Sequence, residues 1–383
     1  MSVARPDWDI FCTVVDNFGD AGVCWRLARQ LAHEGHGEVR LWIDDLATLR
    51  PLAPALLDQD RQSIDGVTVC RWLPTWPAAI EPAHRVIEAF ACELPAAYLD
   101  RMAASAPPPV WINLEYLSAE DWVAGCHGLA SPHPRLPLRK HFFFPGVVDG
   151  TGGLLKERDV DARRTAWSSA PGAQAMFWRR LGLAAPPGEA VRVSLFAYDN
   201  AALPALLDTW AEGSQPVCCY IPVGKVLPRV TAWSGRANLA AGDVVSRGQL
   251  TIVVLPFMAQ DDYDRLLWLC DVNFVRGEDS FVRAQWARRA LVWHIYPQDD
   301  DAHRIKLDAF LEHYLDGAPA DVAHAVRGAW WAWNGQGDIG PAWAPLAAAL
   351  PAVQAWADEW AERVAKHGDL AQNLAFFCRD LLE

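Results

Sequence analysis

Apolar and polar positions along this chain follow two alternating rhythms. Residues 8–15 (WDIFCTVV) are an almost unbroken apolar, β-prone run that stops at Asp16-Asn17-Phe18-Gly19. Such a run predicts a strand covered on both faces. Residues 20–34 then place Val23, Leu27 and Leu31 at helical spacing. Further strands are predicted at 39–43, 67–72, 85–90, 109–114 and 142–147, with helices or proline-marked loops between them. Alternation of this kind predicts an α/β fold, a parallel sheet with helices on its faces.

The rhythm changes over residues 149–175. Asp149-Gly150-Thr151-Gly152-Gly153 is glycine-rich, and a polar, charged run follows it through Arg164. This reads as an interdomain connection. The pattern then restarts, with strands predicted at 191–197, 217–222, 250–256, 271–275 and 290–295. Helices are predicted at 201–212, 260–269, 279–288 and 302–315, and again at 322–332 and 351–382. The expected organisation is a first Rossmann-like domain over 1–150, a linker over 151–175 and a second Rossmann-like domain over 176–354. The two would face a central cleft. No short-period repeat is present, which excludes solenoids and propellers. Open parallel sheets bind ligands beyond the carboxyl ends of their strands, so the loops after the strands are where chemistry is sought.

Composition narrows the classes. The chain has 383 residues, 52% of them hydrophobic and 21% charged, as in a folded globular protein. Its net charge of −13 argues against a broad nucleic-acid-binding face and leaves room only for a local basic pocket. No apolar stretch reaches the length of about 18 residues that a membrane helix needs, and the start MSVARPDWDIF lacks the apolar segment of a signal peptide. The nine cysteines include no C-x-x-C pair, so reduced thiols and a cytoplasmic location are expected. Most of the 20 tryptophans lie among apolar neighbours, where core packing accounts for them.

Three clusters carry candidate chemistry. The loop after the first strand, Asp16-Asn17-Phe18-Gly19-Asp20-Ala21-Gly22, sets two carboxylates, an amide and two glycines at a strand–turn–helix. It is not the G-x-G-x-x-G of dinucleotide binders. Asp20 at the head of a helix also looks like an N-cap, but three polar residues in one loop exceed what capping requires. The second cluster, Arg276-Gly277-Glu278-Asp279-Ser280, precedes the helix FVRAQWARR. A helix N-terminus suits a phosphate, Asp279 or Ser280 would cap it, and a carboxylate such as Glu278 suits sugar hydroxyls. A capped helix beside a solvated Arg–Glu pair is the plain alternative. The third cluster is aromatic: Phe196 and Tyr198 end one strand, and Phe257 ends another ahead of Gln260 and Tyr263. These residues could stack on a base while Gln260 reads its polar edge, or simply pack a core. Asp299-Asp300-Asp301 resembles an acidic metal run but is more simply a solvated loop. His294, His303 and His313 lack metal-ligand spacing, and Lys225 is a lone phosphate candidate.

Taken together, residues 16–31 (DNFGDAGVCWRLARQL) and 276–287 (RGEDSFVRAQWA) strongly resemble the bacterial protein-arginine rhamnosyltransferases that modify elongation factor P. The resemblance extends along essentially the whole chain. It implies a GT-B fold whose last helix, here within 355–383, returns to the N-terminal domain. It also implies transfer of L-rhamnose from dTDP-β-L-rhamnose to one arginine of elongation factor P, with inversion, no cofactor and no metal, in support of translation through proline runs. Nucleic acid and membrane are not expected partners. The essential carboxylates of the family match Asp16, Asp20 and Glu278. Its substrate contacts match Asn17, Phe18, Gly19, Phe196, Tyr198, Phe257, Gln260, Tyr263, Arg276, Asp279 and Ser280, with Tyr263 standing where the family pattern has phenylalanine.

Elementary chemistry agrees with these expectations. A guanidinium stays protonated to about pH 12 and is a poor nucleophile, so a carboxylate must hold it and accept a proton, a role that suits Asp20. Asp16 would orient the acceptor or keep Asp20 ionised through the shared loop network. Arg276 and the N-terminus of the 279–288 helix would stabilise the departing diphosphate. The competing readings are another GT-B nucleotide-sugar enzyme, an epimerase or a transferase with a small acceptor, and a non-catalytic module that only docks on the translation factor.

Overall fold

A computed structural model describes residues 5–15, 18–77, 80–183, 189–298 and 302–382. The chain divides into two compact units. Residues 1–158 and 364–383 form the first, and residues 159–363 form the second.

The first unit is built on one eight-stranded sheet. Its strands are β1 (Trp8–Cys12), β2 (Val39–Ile43), β3 (Arg61–Ile64), β4 (Val67–Arg71), β5 (Arg85–Ala89), β6 (Val110–Leu114), β7 (Ala130–Pro132) and β8 (Arg139–Phe143). Their spatial order is β3-β4-β2-β1-β5-β6-β8-β7. The pairs are parallel except for antiparallel β3·β4 and β7·β8 at the two edges. Every residue of β1, β2 and β6 is buried, which is why these segments read as mostly apolar runs, each interrupted by one buried polar residue (Asp9, Arg40 and Asn113), rather than alternating ones. Helices α1 (Phe18–His33), α2 (Leu46–Leu49), α3 (Ala96–Ala104) and α4 (Trp122–Cys126) belong to this unit. The core includes Phe11, Trp42, Val86, Tyr98, Met102 and Trp111. Within it the fully buried Asp9 carboxylate accepts hydrogen bonds from Arg40 Nε at 2.6 Å, Trp42 Nε1 at 2.8 Å and the Ala83 amide at 2.9 Å, as well as from the Tyr98 hydroxyl. A buried charge persists only when paired and hydrogen-bonded in this way.

The second unit carries six strands: β9 (Val191–Leu195), β10 (Val217–Pro222), β11 (Val244–Arg247), β12 (Leu250–Leu255), β13 (Val272–Arg276) and β14 (Ala290–His294). Their order is β11-β12-β10-β9-β13-β14, with only β11·β12 antiparallel. Helices α5 (Val160–Ser169), α6 (Ala173–Arg180), α7 (Leu203–Glu212), α8 (Leu227–Ser234), α9 (Gln260–Leu269), α10 (Asp279–Trp286), α11 (Ala302–Leu315), α12 (Ala320–Trp333) and α13 (Ile339–Ala348) follow, with α14 (Leu350–Ala365) closing the run. Aromatic rings fill this core: Phe281 stacks on Trp293 at 4.0 Å, and Phe274 meets Trp333 edge-on at 4.9 Å.

Each sheet has one topological switch point, the place where successive strands depart in opposite directions. In the first sheet it lies between β1 and β5, and in the second between β9 and β13. Ligands of open α/β sheets bind there, at the carboxyl ends of the strands.

Several elements differ from the sequence reading. The strand predicted at 142–147 lies at Arg139–Phe143. The edge strands β3, β7 and β11 were not expected, because short polar segments such as RQSI carry no apolar run and pair only with a strand already in place. The stretch 151–175 is shared: residues to Arg158 belong to the first unit, and α5 begins the second. The helical run 351–382 breaks at Gly368, φ +80°, and resumes as α15 (Leu370–Asp380). There Asp369 caps the new helix through the Gln372 amide and accepts from Gln30 Nε2 of α1 at 2.8 Å. The last helix therefore completes the first unit. All nine cysteines are free, and burial pushes the thiols of Cys219 and Cys270 upward. Trp122 departs from the core reading of the tryptophans, being exposed. Among the described residues no helix is long and apolar enough to cross a membrane.

Candidate active site

The first acidic turn follows β1, at the switch point of the first sheet. Asp20 is 1% exposed. It is not the cap of α1 but lies within its first turn, where the partial positive charge of the helix end favours a carboxylate. Its Oδ2 accepts from the Val15 amide at 2.8 Å and its Oδ1 from the Tyr116 hydroxyl at 3.1 Å. Tyr116 follows β6, and its ring stacks on Phe90 with centroids 4.3 Å apart and planes 12° apart. Phe90 follows β5. The Val14 amide donates to Asp44 Oδ1 at the end of β2, which braces the same loop. Phe18 and Gly19 are half-buried in the first turn of α1. Asp16 and Asn17 lie outside the described residues.

The second acidic turn follows β13, at the other switch point. Gly277 turns the chain at φ +60°, a conformation that favours glycine. Its carbonyl accepts from Trp293 Nε1 at 2.9 Å. Neither Asp279 nor Ser280 caps α10: that position falls to Glu278, whose side chain makes no capping hydrogen bond. Ser280 instead closes the turn, its hydroxyl donating to the Arg276 carbonyl and accepting from the Arg276 amide at 3.2 Å. Asp279 Oδ2 accepts from Gln260 Nε2, the first residue of α9, at 3.1 Å. Behind this contact α9 and α10 are clamped by a buried ion pair, Arg283 Nη2 to Asp264 Oδ2 at 2.7 Å and Nε to Oδ1 at 3.1 Å.

The aromatic cluster converges on the same turn. The Arg276 guanidinium, 7% exposed, lies 4.5 Å from the Phe196 ring centroid and 4.7 Å from that of Tyr198. Tyr263 meets Phe196 edge-on at 5.7 Å. Burial holds the Tyr263 phenol well above its ordinary range, so it stays protonated. Lys225 Nζ stands 5.6 Å from the Tyr198 ring centroid. Phe257 is half-buried on the loop between β12 and α9.

Three residues near these turns escaped the sequence reading as site components. Phe90 and Tyr116 gave no signal beyond their places just after two strands. In the sequence His294 offers itself only as a metal ligand. It ends β14 beside Arg276 in register, and its ring meets Tyr198 edge-on at 5.4 Å. Burial, reinforced by the charge of Arg276, lowers its pKa to about 4, so it is neutral near pH 7. Among the described residues no group of three or more His, Cys, Asp or Glu could hold a metal ion, and Asp299–Asp301 lies outside them.

One turn thus offers a fixed, buried carboxylate suited to taking a proton, and the other a cationic, aromatic-framed helix terminus suited to an anionic nucleotide. On two Rossmann-like sheets, these are the marks of a GT-B glycosyltransferase. Relatives named protein-arginine rhamnosyltransferase are 51% identical in Pseudomonas putida strain KT2440, covering 99% of this chain and 100% of the relative, and 49% identical in Pseudomonas aeruginosa strain PAO1, covering 98% and 99%. The chain belongs to the family of elongation-factor-P rhamnosyltransferases, EarP, whose model matches residues 8–379. A solved structure described as the basis for EarP-mediated arginine glycosylation of translation elongation factor EF-P shares the fold at a TM-score of 0.69, with 37% identity over 98% of this chain and 99% of that one.

Proposed function

We propose that this chain transfers L-rhamnose from dTDP-β-L-rhamnose to one arginine of elongation factor P, with inversion at the anomeric carbon, and so supports translation through proline runs. Within a chain of this family, the observation that carries the reading is the Asp20 carboxylate, buried and held through both oxygens at the first switch point. A guanidinium nitrogen gains nucleophilicity only as it sheds a proton. Asp20 accepts that proton while the C–N bond forms and the bond from the anomeric carbon to the diphosphate oxygen breaks. A single displacement of this kind inverts the centre. In this reading Asp16 orients the acceptor or keeps Asp20 ionised, and Asn17, Phe18 and Gly19 contact the substrate.

The second unit serves the donor in this reading. Arg276 and the amides that open α10 stabilise negative charge on the departing diphosphate. Phe196, Tyr198, Phe257 and Tyr263 frame the nucleotide, the Gln260–Asp279 pair offers polar groups to the base, Ser280 keeps the turn closed, and Glu278 engages sugar hydroxyls. With these charges supplied by the protein, the reaction needs neither metal nor cofactor, and a chelator is expected to leave the initial rate unchanged.

The test is intact-mass analysis of elongation factor P after incubation with a panel of dTDP-sugars. The expected result is one added deoxyhexose, on arginine, from dTDP-rhamnose. Donor turnover that ignores the protein acceptor would instead identify a small-acceptor enzyme or an epimerase. Asp20→Asn is expected to abolish transfer while dTDP-rhamnose binding, read by titration calorimetry, persists within about threefold, because the general base contributes roughly 100-fold or more to rate and nothing to donor contacts. Near-normal transfer by that variant would remove Asp20 as the base.

A further inference from the structure

We propose that Tyr116 is a positioning residue for the reaction, setting the orientation of the Asp20 carboxylate through its hydroxyl, and that Phe90 sets Tyr116. This rests on the reading of Asp20 as the base. A carboxylate anchored through one oxygen can still rotate about its last bond, whereas anchors on both oxygens fix its plane. At Asp20 the first anchor is local, the Val15 amide on Oδ2. The second comes from another part of the fold, the Tyr116 hydroxyl on Oδ1.

The phenol is itself held. Tyr116 is 41% exposed, so burial alone does not fix its ring. The nearly parallel stack on Phe90 at 4.3 Å adds a contact that holds it. Phe90 reaches that position with φ +57°, and Ala91 follows at +54°. Non-glycine residues in this region cost on the order of 1–3 kcal/mol each and persist where the surroundings enforce them. Here the two residues form a tight turn closed by the Cys92 amide, which donates to the Ala89 carbonyl at 3.2 Å, and the Phe90 amide, which donates to the Leu114 carbonyl at 2.7 Å, anchors the turn to the end of β6. The chain of contacts runs from the strand ends through the Phe90 ring to the Tyr116 hydroxyl and so to the carboxylate.

The experiment uses the full-length protein with dTDP-rhamnose and elongation factor P. Steady-state rates are measured for wild type, Tyr116→Phe, Phe90→Leu, Asp20→Glu, Asp20→Asn and the double variant Asp20→Glu/Tyr116→Phe, with thermal melts confirming that each is folded. Tyr116→Phe keeps the stack and loses only the hydroxyl. It is expected to lower kcat by about 10- to 100-fold, the scale of a slightly misplaced catalytic group, with both KM values within about twofold. Phe90→Leu lowers kcat in the same direction by less and gives a second route if the first variant is unstable. In the Asp20→Glu background, where the longer side chain no longer meets the phenol as before, Tyr116→Phe adds less than about twofold. A merely structural tyrosine would lower both backgrounds by the same factor, and that outcome overturns the proposal. So does wild-type kcat in Tyr116→Phe when Asp20→Asn is inactive, which leaves the base assignment standing. An active Asp20→Asn removes the base assignment and this proposal together.

Discussion

Arg276 gathers several contacts of the second turn. Its guanidinium lies against two rings, its amide and carbonyl bind Ser280, and its charge helps keep His294 neutral. Lysine would keep the charge and lose the flat face and the fork of donors. Arg276→Lys is therefore expected to weaken dTDP-rhamnose binding about 10- to 100-fold by titration calorimetry, with the melting temperature changed by less than a few degrees. His294 yields a pH prediction. Its folded-state pKa of about 4 lies below the ordinary histidine value, so the unfolded chain takes up this proton first as pH falls. The stability linked to His294 is complete above about pH 6.5 and is lost progressively toward pH 4. Melting temperatures recorded between pH 7.5 and 4.5 should fall less steeply in His294→Gln than in wild type, and parallel curves would contradict this assignment.

At the scale of elements, the Arg276–Ser280 turn holds its shape because two helices are locked behind it. Arg283 and Asp264 are both nearly fully buried, and their paired hydrogen bonds tie α10 to α9 below the Gln260–Asp279 contact. Removing one partner takes two charge-assisted hydrogen bonds from the other in the core, at a cost of about 3–5 kcal/mol. Asp264→Ala should lower the stability of the second unit by that amount in denaturant unfolding and weaken donor binding, although Asp264 lies outside the proposed nucleotide contacts. A loss of less than 1 kcal/mol would show that the clamp is not needed. The sequence displays the helix FVRAQWARR and its acidic start and suggests Asp279 or Ser280 as the cap, whereas the structure places Glu278 there. Ser280 bonds backward to Arg276 and leaves Glu278 at the cap position. Local propensity ranks residue types at a helix start and does not choose among three adjacent polar residues.

For the whole molecule the informative feature is that the first unit is discontinuous. Residues 364–383 complete a unit whose remaining residues are 1–158. In α15, Leu370, Ala371, Leu374 and Cys378 are buried, Leu370 donates its amide to the Leu154 carbonyl at 3.0 Å, and Asp369 ties to Gln30. A chain ending at Arg363 should therefore melt its first unit more than about 10 °C lower, since burying each large apolar side chain contributes roughly 1.5–3 kcal/mol. Differential scanning calorimetry would resolve this, and an unchanged first transition would show that α15 is dispensable.

The sequence by itself determined the buried strands and the more strongly periodic helices with most of their boundaries, because strands covered on both faces are mostly apolar and amphipathic helices repeat at about 3.6 residues, whereas α5, α6, α8 and α13 were not legible in it. It also displayed both acidic turns, since these are contiguous runs of unusual polar residues, and their spelling carried the family. Only the tertiary structure decided the strand order that puts each turn at a switch point, the short edge strands that pair with a sheet already built, and the neighbours Tyr116, which reaches Asp20 from 96 positions away, and Phe90, which stacks on Tyr116. The physical reason is that periodicity records how much of a residue is covered, whereas a hydrogen bond between distant residues depends on which strands lie side by side.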